Sequence, residues 1–320
     1  YLDLLYDDLL SQGIAHPDWM LGAMAGALTA FFVQLYYWLG RYGGLPRFRN
    51  NRGIRPQIPS PPVSVVVVIR ENGYYFIENY LPLLLGQRYD EFEVVAVDCS
   101  YDEEIGELLH EKSLACSRLH VTAIKQQRSA GHGTKLALTV GIKACAYEHI
   151  VFTTTDCYPS SDKWLSLMAK GFINGDIVIG YCGIEPGKGL ANRLMRCSRL
   201  AGSVRWLSAA TRSRAYRGIA GNIGYTKSLY FESRGFNYLN MEIGDDDLFI
   251  QKIATSDNVS VVMNPAATMR QVPFGGLGWW RAVRRFYAYS FRYYPARVKR
   301  SVRTELSSRL LFFALSATAA

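Results

Sequence analysis

The sequence predicts an α/β protein built on a doubly wound sheet, preceded by a membrane-crossing helix and followed by basic, aromatic helices. Three observations carry this. Between residue 63 and residue 181, short apolar β-branched runs alternate with helix-period segments. An uncharged stretch, "WMLGAMAGALTAFFVQLYYWLG", runs from Trp19 to Gly40 and is about long enough to cross a hydrocarbon core. Arginines and aromatic side chains crowd together between Arg281 and Arg309.

Composition sets the limits. The chain has 320 residues, 49% hydrophobic and 20% charged, which excludes a disordered chain. A net charge of +9 suits a partner bearing phosphates, whether nucleic acid, nucleotide substrate or anionic lipid. The six cysteines form no CxxC pair and histidine is sparse, so a zinc site is not expected. They read as reduced thiols of a cytosolic domain.

Residues 1–18 carry Asp3, Asp7, Asp8 and Asp18 but no Lys or Arg, and are read as extracytoplasmic. Segment 19–40 is the spanning helix, with Trp19 at one water interface and Tyr36, Tyr37 and Trp38 at the other. Arg41, Arg47, Arg49, Arg52 and Arg55 follow, and a basic flank stays in the cytoplasm. The expected location is the inner (cytoplasmic) membrane, with the main domain cytoplasmic. Segment 41–62, with Pro56, Pro59, Pro61 and Pro62, reads as a linker.

The main domain, 63–275, opens with "VSVVVVI" (Val63–Ile69), a strand buried on both faces of a sheet. A helix is expected over Phe76–Leu85, then strand Phe92–Asp98, helix Glu103–Leu114 and strand His120–Ile124. Helix Lys135–Ala146, strand Ile150–Asp156, helix Lys163–Phe172 and strand Asp176–Tyr181 complete the alternation. In such sheets ligands bind beyond the carboxyl ends of the strands. Asp98 and Asp156 each end an apolar strand, so both are expected to line one crevice; either could instead cap the element that follows. No GxGxxG or GxxxxGK[ST] loop follows the first strand, which argues against a dinucleotide fold or a P-loop.

Residues 276–305 read as basic, aromatic helices lying on an anionic membrane surface, with an RNA-binding surface as the competing reading. The tail "LLFFALSATAA" is too short to span alone, and 306–320 reads as the start of a second spanning helix.

Several motifs then occur in a telling order. "VSVVVVIREN", "VVAVDCSYDE", "GTKLALTVGI", "VFTTTDCYPSSDKWL", "GNIGYTKSLYFESRGF", "GDDDLFIQKIA" and "WWRAVRRFYAYS" follow one another along the chain. In this order they resemble the family-2 glycosyltransferases, particularly membrane-bound bacterial ones, from about Val63 to Arg297. The resemblance implies a GT-A-like doubly wound mixed sheet. It also implies inverting, hexosyltransferase-like transfer of sugar from a nucleotide-sugar donor to a lipid-linked or envelope glycan acceptor.

The family pattern assigns roles. Asp245 is the implied catalytic base, with Asp246 as the alternative. Three adjacent acids raise one another's pKa towards a useful value. Asp98 would hold the base or ribose. Asp156 would reach Mg²⁺ or Mn²⁺, or the diphosphate through it. Lys135, Arg284 and Arg285 are the implied phosphate partners. Gly221, Asn222, Asp247, Trp279 and Trp280 are assigned to the acceptor side, with anchoring in the membrane interface as the alternative for the two tryptophans and a solvated helix charge as the alternative for Lys135. The implied partners are the donor, the glycan or lipid-linked acceptor and anionic membrane lipids, with room for a membrane-protein partner; no nucleic acid is expected.

The chain departs from the pattern at four positions. Thr154 stands at the first acid of DxD, Cys99 at the second Asp of VVDD, and Ala282 and Phe286 at the Gln and Trp of QxxRW, although Arg285 remains. These departures frame an alternative: a glycosyltransferase-like membrane protein that binds or scaffolds without transferring sugar.

Overall fold

The computed structural model describes residues 18–45, 60–124, 133–239 and 244–319, with Asp7 and Ser11. The chain forms two compact units, one of Tyr1–Arg47 with Tyr294–Ala320, the other of Phe48–Tyr293.

The larger unit is an α/β layer structure. Its main sheet has seven strands in the order β3-β2-β1-β4-β8-β6-β9. These are β1 (Val63–Ile69), β2 (Phe92–Asp98), β3 (Leu119–Ala123), β4 (His149–Thr154), β6 (Ile177–Gly180), β8 (Ile223–Thr226) and β9 (Val259–Val262). β1, β2, β3 and β4 run parallel, so their carboxyl ends share one edge. β8 runs antiparallel to β4 and to β6, which makes the sheet mixed. Every residue of β1 except Val68 is buried, as expected of a strand covered on both faces.

The helices follow in order: α2 (Gly73–Asn79), α3 (Leu81–Leu85), α4 (Glu103–Ala115), α5 (Gly133–Ala144), α6 (Trp164–Gly171), α7 (Leu190–Ala210), α8 (Lys227–Glu232), α9 (Leu248–Ile253) and α10 (Gly276–Ser290); the smaller unit supplies α1 and α11. The single helix expected over Phe76–Leu85 is two short ones. Tyr80 ends the first, and Pro82, which cannot donate a backbone hydrogen bond, opens the second.

The strand expected to end on Asp156 stops at Thr154. The chain turns there because it changes sheets: β5 (Cys157–Pro159) pairs antiparallel with β10 (Met269–Gln271), and β7 (Cys182–Ile184) pairs parallel with β10 on its other side. The turn is fastened by the Val272 N–H, which donates to the Asp156 carbonyl at 2.8 Å. All six cysteines are free.

The smaller unit pairs α1 (Asp18–Leu35), which continues as a π-helical turn over Tyr36–Tyr42, with α11 (Ala296–Ala319). Trp19–Tyr42 is the one described helix long and apolar enough to cross a membrane, with mean hydropathy 1.4. The two helices run antiparallel: Gly26 faces Leu315, the Phe31 ring lies 6.1 Å from Phe312, and the Tyr37 hydroxyl donates to the Ser301 carbonyl. Gln34 Nε2 donates to the Glu305 carbonyl at 2.8 Å and to Ser308 Oγ at 2.6 Å. The boundary drawn at 305/306 from charge falls inside one continuous helix.

Candidate active site

A cavity of about 690 Å³ opens at the carboxyl ends of β1 and β4. After β1 come Arg70, Glu71 and Asn72; β4 ends on Thr154 and is followed by Thr155 and Asp156, all on the cavity wall. This is the edge at which parallel α/β sheets place ligands. Asn72 takes the left-handed conformation (φ 56°), a backbone state that Asn tolerates better than most residues, and so redirects the chain into α2. The Thr155 hydroxyl donates to the Glu71 carbonyl at 3.0 Å and ties the two strand ends together. Arg70 Nη1 donates to Thr134 Oγ1 at 3.1 Å.

The acidic turn before α9 also lines the cavity. Asp245 and Asp246 both line the cavity. Burial and the neighbouring Asp247 raise the Asp245 carboxyl from its ordinary value to about 6, against the pull of Lys135. Burial, then Asp245 and Asp247, push Asp246 further, to about 8, with Arg217 and the Tyr287 hydroxyl opposing. Asp246 Oδ2 accepts from Tyr287 Oη at 2.6 Å and from the Ala220 N–H at 3.3 Å. Its Oδ1 is buried with no hydrogen-bond partner among the described residues. Asp247 is fully buried. It caps α9 by accepting from the Leu248 N–H at 2.6 Å, and its other oxygen accepts from Ser290 Oγ at 2.5 Å. Thus α10 grips the acidic turn twice, through Tyr287 and Ser290. Asp247, expected on the acceptor side, is thus buried, engaged by Leu248 and Ser290, and not among the residues that line the cavity.

Asp156 is held from both sides by neutral donors. Thr154 Oγ1 donates to Oδ1 at 2.6 Å, and Gln271 Nε2 donates to Oδ2 at 2.8 Å. Gln271 is fixed in that orientation because its Oε1 accepts from Arg199 Nη2 at 2.7 Å. The threonine that replaces an acid at position 154 therefore orients the acid that remains.

The other expected site residues are distributed as follows. Asp98 lies on the same edge of the sheet, one strand beyond β1, off the cavity wall, and its Oδ1 accepts from the Ser100 N–H and hydroxyl at 2.9 and 2.7 Å. Lys135 is half-buried against the acidic turn rather than on the wall. Its Nζ donates to the Leu239 carbonyl at 3.2 Å, and desolvation lowers its pKa while Asp245 and Asp247 raise it. Trp279 lines the cavity and Trp280 does not; the Arg284 guanidinium stacks over the Trp280 ring at 4.9 Å. Arg284 and Arg285 are exposed on α10 and are not among the residues that line the cavity.

Asn222, expected on the acceptor side, is engaged within the fold. Asn222 is fully buried, accepts from Trp164 Nε1 at 2.9 Å and donates both amide hydrogens, to the Tyr181 and Ala267 carbonyls. Gly221 is buried at a close approach: a Cβ there would stand 2.7 Å from Cys157 Sγ. The sequence reading missed Arg70, Thr134, Gln271 and Tyr287. Arg70 follows a strand end and could have been found by the rule that picked Asp98.

No protein-family model matches the chain, and no curated protein is significantly similar to it. Among solved structures, a mannosyltransferase from Pyrobaculum calidifontis, PcManGT, determined in complex with GDP-Man and Mn²⁺, superposes with a TM-score of 0.67 at 19% identity. The match covers 94% of this chain and 85% of that one. The fold is that of the GT-A-like glycosyltransferases. Staphylococcus aureus TarS residues 1–349 match at a TM-score of 0.46 and 19% identity, covering 68% of this chain and 62% of theirs.

Among the described residues no group of three or more His, Cys, Asp or Glu side chains could cage a metal. Mg²⁺-type sites commonly use one or two carboxylates and complete their shell with substrate phosphates and water. Asp156 meets that requirement: it lies on the cavity wall, its Oδ1 accepts from Thr154 Oγ1 at 2.6 Å and from Cys157 Sγ at 3.5 Å, and its Oδ2 accepts from Gln271 Nε2 at 2.8 Å and keeps a second lone pair. The residues fit a cation held jointly by Asp156 and the diphosphate of a donor.

Proposed function

We propose that the chain is a membrane-anchored inverting glycosyltransferase that moves a sugar from a nucleotide-sugar donor to a lipid-linked or envelope glycan acceptor at the cytoplasmic membrane face. One observation carries the reading: Asp156 and the Asp245–Asp246 pair, far apart in sequence, line one cavity at the sheet's carboxyl edge. The fold supports it. The sequence order supports anchoring through Trp19–Tyr42, with the basic flank inside.

The division of labour follows from the electrostatics. Asp245, raised to about 6, is ionised at neutral pH yet more basic than a surface aspartate. It accepts the proton of the acceptor hydroxyl as that oxygen attacks the anomeric carbon from the side opposite the diphosphate. Asp246, raised to about 8, holds a proton at neutral pH and keeps its neighbour's charge from being doubled. Asp156 orients the diphosphate end of the donor; a bound Mg²⁺ or Mn²⁺ would supply charge for the departing diphosphate. Arg70, on the cavity wall, is the cation assigned to meet phosphate. Asp98, on the same edge, is assigned to the base or ribose. Trp279 covers the cavity from α10.

The neutral Thr154 and the apolar Ala282 on the cavity wall favour the second reading, a binding or scaffold subunit. A screen of nucleotide sugars for hydrolysis or transfer, with and without Mn²⁺ and Mg²⁺, separates the two. Turnover that Asp245→Asn abolishes supports transfer. Donor binding without turnover under any condition establishes the scaffold reading instead.

A further inference from the structure

Helix α7 (Leu190–Ala210) belongs to no part of the site just described except through Arg199. Its inner face is ordinary: Asn192, Met195, Ser203 and Trp206 are buried. Its outer face is not. Leu190, Leu194 and Leu200 are 71%, 52% and 54% exposed. With 3.6 residues per turn, these three share about a third of the helix circumference with Arg193 and Cys197, which are also exposed. A single exposed leucine needs no explanation, but three on one helical face do.

The charge around this face has one sign. From Pro186 to Phe231 the chain contains no Asp or Glu, whereas Lys188, Arg193, Arg196, Arg212 and Arg214 are exposed. An apolar stripe rimmed by cations fits a surface that is apolar below and anionic above. We propose that α7 lies in the headgroup layer of an anionic bilayer, with its leucines in the outer acyl region and its flanking Lys and Arg on lipid phosphates. A lipid surface suits the face better than a protein, because long cationic side chains can keep their heads at the phosphates while their stems cover apolar surface. This rests on the membrane anchoring proposed above, but α7 is no part of that anchor. It also bears on the site. Arg199, on the same helix, holds Gln271, and Gln271 holds Asp156, so a seated α7 steadies one wall of the cavity.

The test uses the full chain reconstituted into vesicles of phosphatidylcholine with phosphatidylglycerol. Cys197 carries an environment-sensitive fluorophore, in a Cys116→Ser background that leaves the remaining thiols buried. Co-flotation with vesicles reads the anchor; quenching of the fluorophore reads α7. The expected result is quenching by nitroxide-bearing lipids, protection from aqueous iodide and a blue-shifted emission. Leu190→Asp with Leu194→Asp should abolish the lipid quenching and admit iodide while flotation persists. Vesicles of phosphatidylcholine alone should weaken the lipid quenching. A floating protein whose probe meets iodide as readily as it does in detergent overturns the proposal and leaves the anchor intact. So does a probe shielded from both quenchers, since protein would then cover the face. Loss of flotation overturns anchor and proposal together.

Discussion

Replacing Asp246 by asparagine should flatten the dependence of stability on pH. In the fold the Asp246 carboxyl is raised from 3.8 to about 8 by burial and by its acidic neighbours. In the unfolded chain it ionises at about 4. The sign follows: below pH about 4 both states hold the proton, and the stability it contributes is complete. As pH climbs towards 8 the unfolded chain has released its proton while the fold retains one, and that stability is lost. One full proton costs ~1.4 kcal/mol per pH unit, so pH 5 to 8 would remove ~4 kcal/mol. Asp245 and Asp247 share the burden, so ~2 kcal/mol is the working expectation for Asp246 itself. Asparagine keeps an acceptor where Oδ2 takes the Tyr287 hydroxyl and the Ala220 N–H, and it cannot ionise. Thermal melts of wild type and Asp246→Asn at pH 5 and pH 8 check this. For a unit of this size the wild-type melting temperature should fall by about 4–8 °C more than that of the variant. Parallel curves would refute the buried-carboxylate reasoning.

Three further outcomes follow. Asp245→Asn should lower kcat by about 10²–10⁴, the usual worth of a positioned base, and the wild-type rate should fall as pH drops through about 6 and the base takes up its proton; a pH–rate profile with a pure donor checks both. Gln271→Leu removes the donor to Asp156 Oδ2 and strands Arg199; half-saturation for Mn²⁺ should rise about 10–100-fold, with the melting temperature little changed, as read by metal titration. Asn222→Ala leaves Trp164 Nε1 and the Ala267 carbonyl without the partner Asn222 gives them, and leaves the Tyr181 carbonyl with the Met269 N–H alone; it should cost ~3 kcal/mol in stability, visible as a lowered melting temperature, with donor KM unchanged in whatever folds.

The sheet was legible where physics is local. Val63–Ile69 and Phe92–Asp98 are strands with the bounds their β-branched runs suggest, because burial on both faces demands an unbroken apolar run. The break at Tyr80 was hidden because the apolar period continues across it, and Pro82 was its one local sign. The three-residue strands β5, β7 and β10 carry no readable period, so the change of sheet after Thr154, and with it the placement of Gln271 against Asp156, is set by tertiary pairing. In the acidic turn the residue types pointed to a site. Only the fold separates their tasks: Asp247 is spent on a helix cap and Ser290, while Asp245 and Asp246 reach the cavity. For Arg284 and Arg285 a motif gives position along α10 but not the side on which each arginine emerges, and the fold leaves both exposed and off the cavity lining.

The account turns on one cavity serving as the meeting point of a diphosphate, its cation and the base. An experimental structure with a nucleoside diphosphate and Mn²⁺, read by the anomalous signal of manganese, measures this directly. The expected result is one manganese peak within ligand distance of Asp156, with the diphosphate between Asp156 and Asp245. A nucleotide bound elsewhere, or manganese seated away from Asp156, would contradict it.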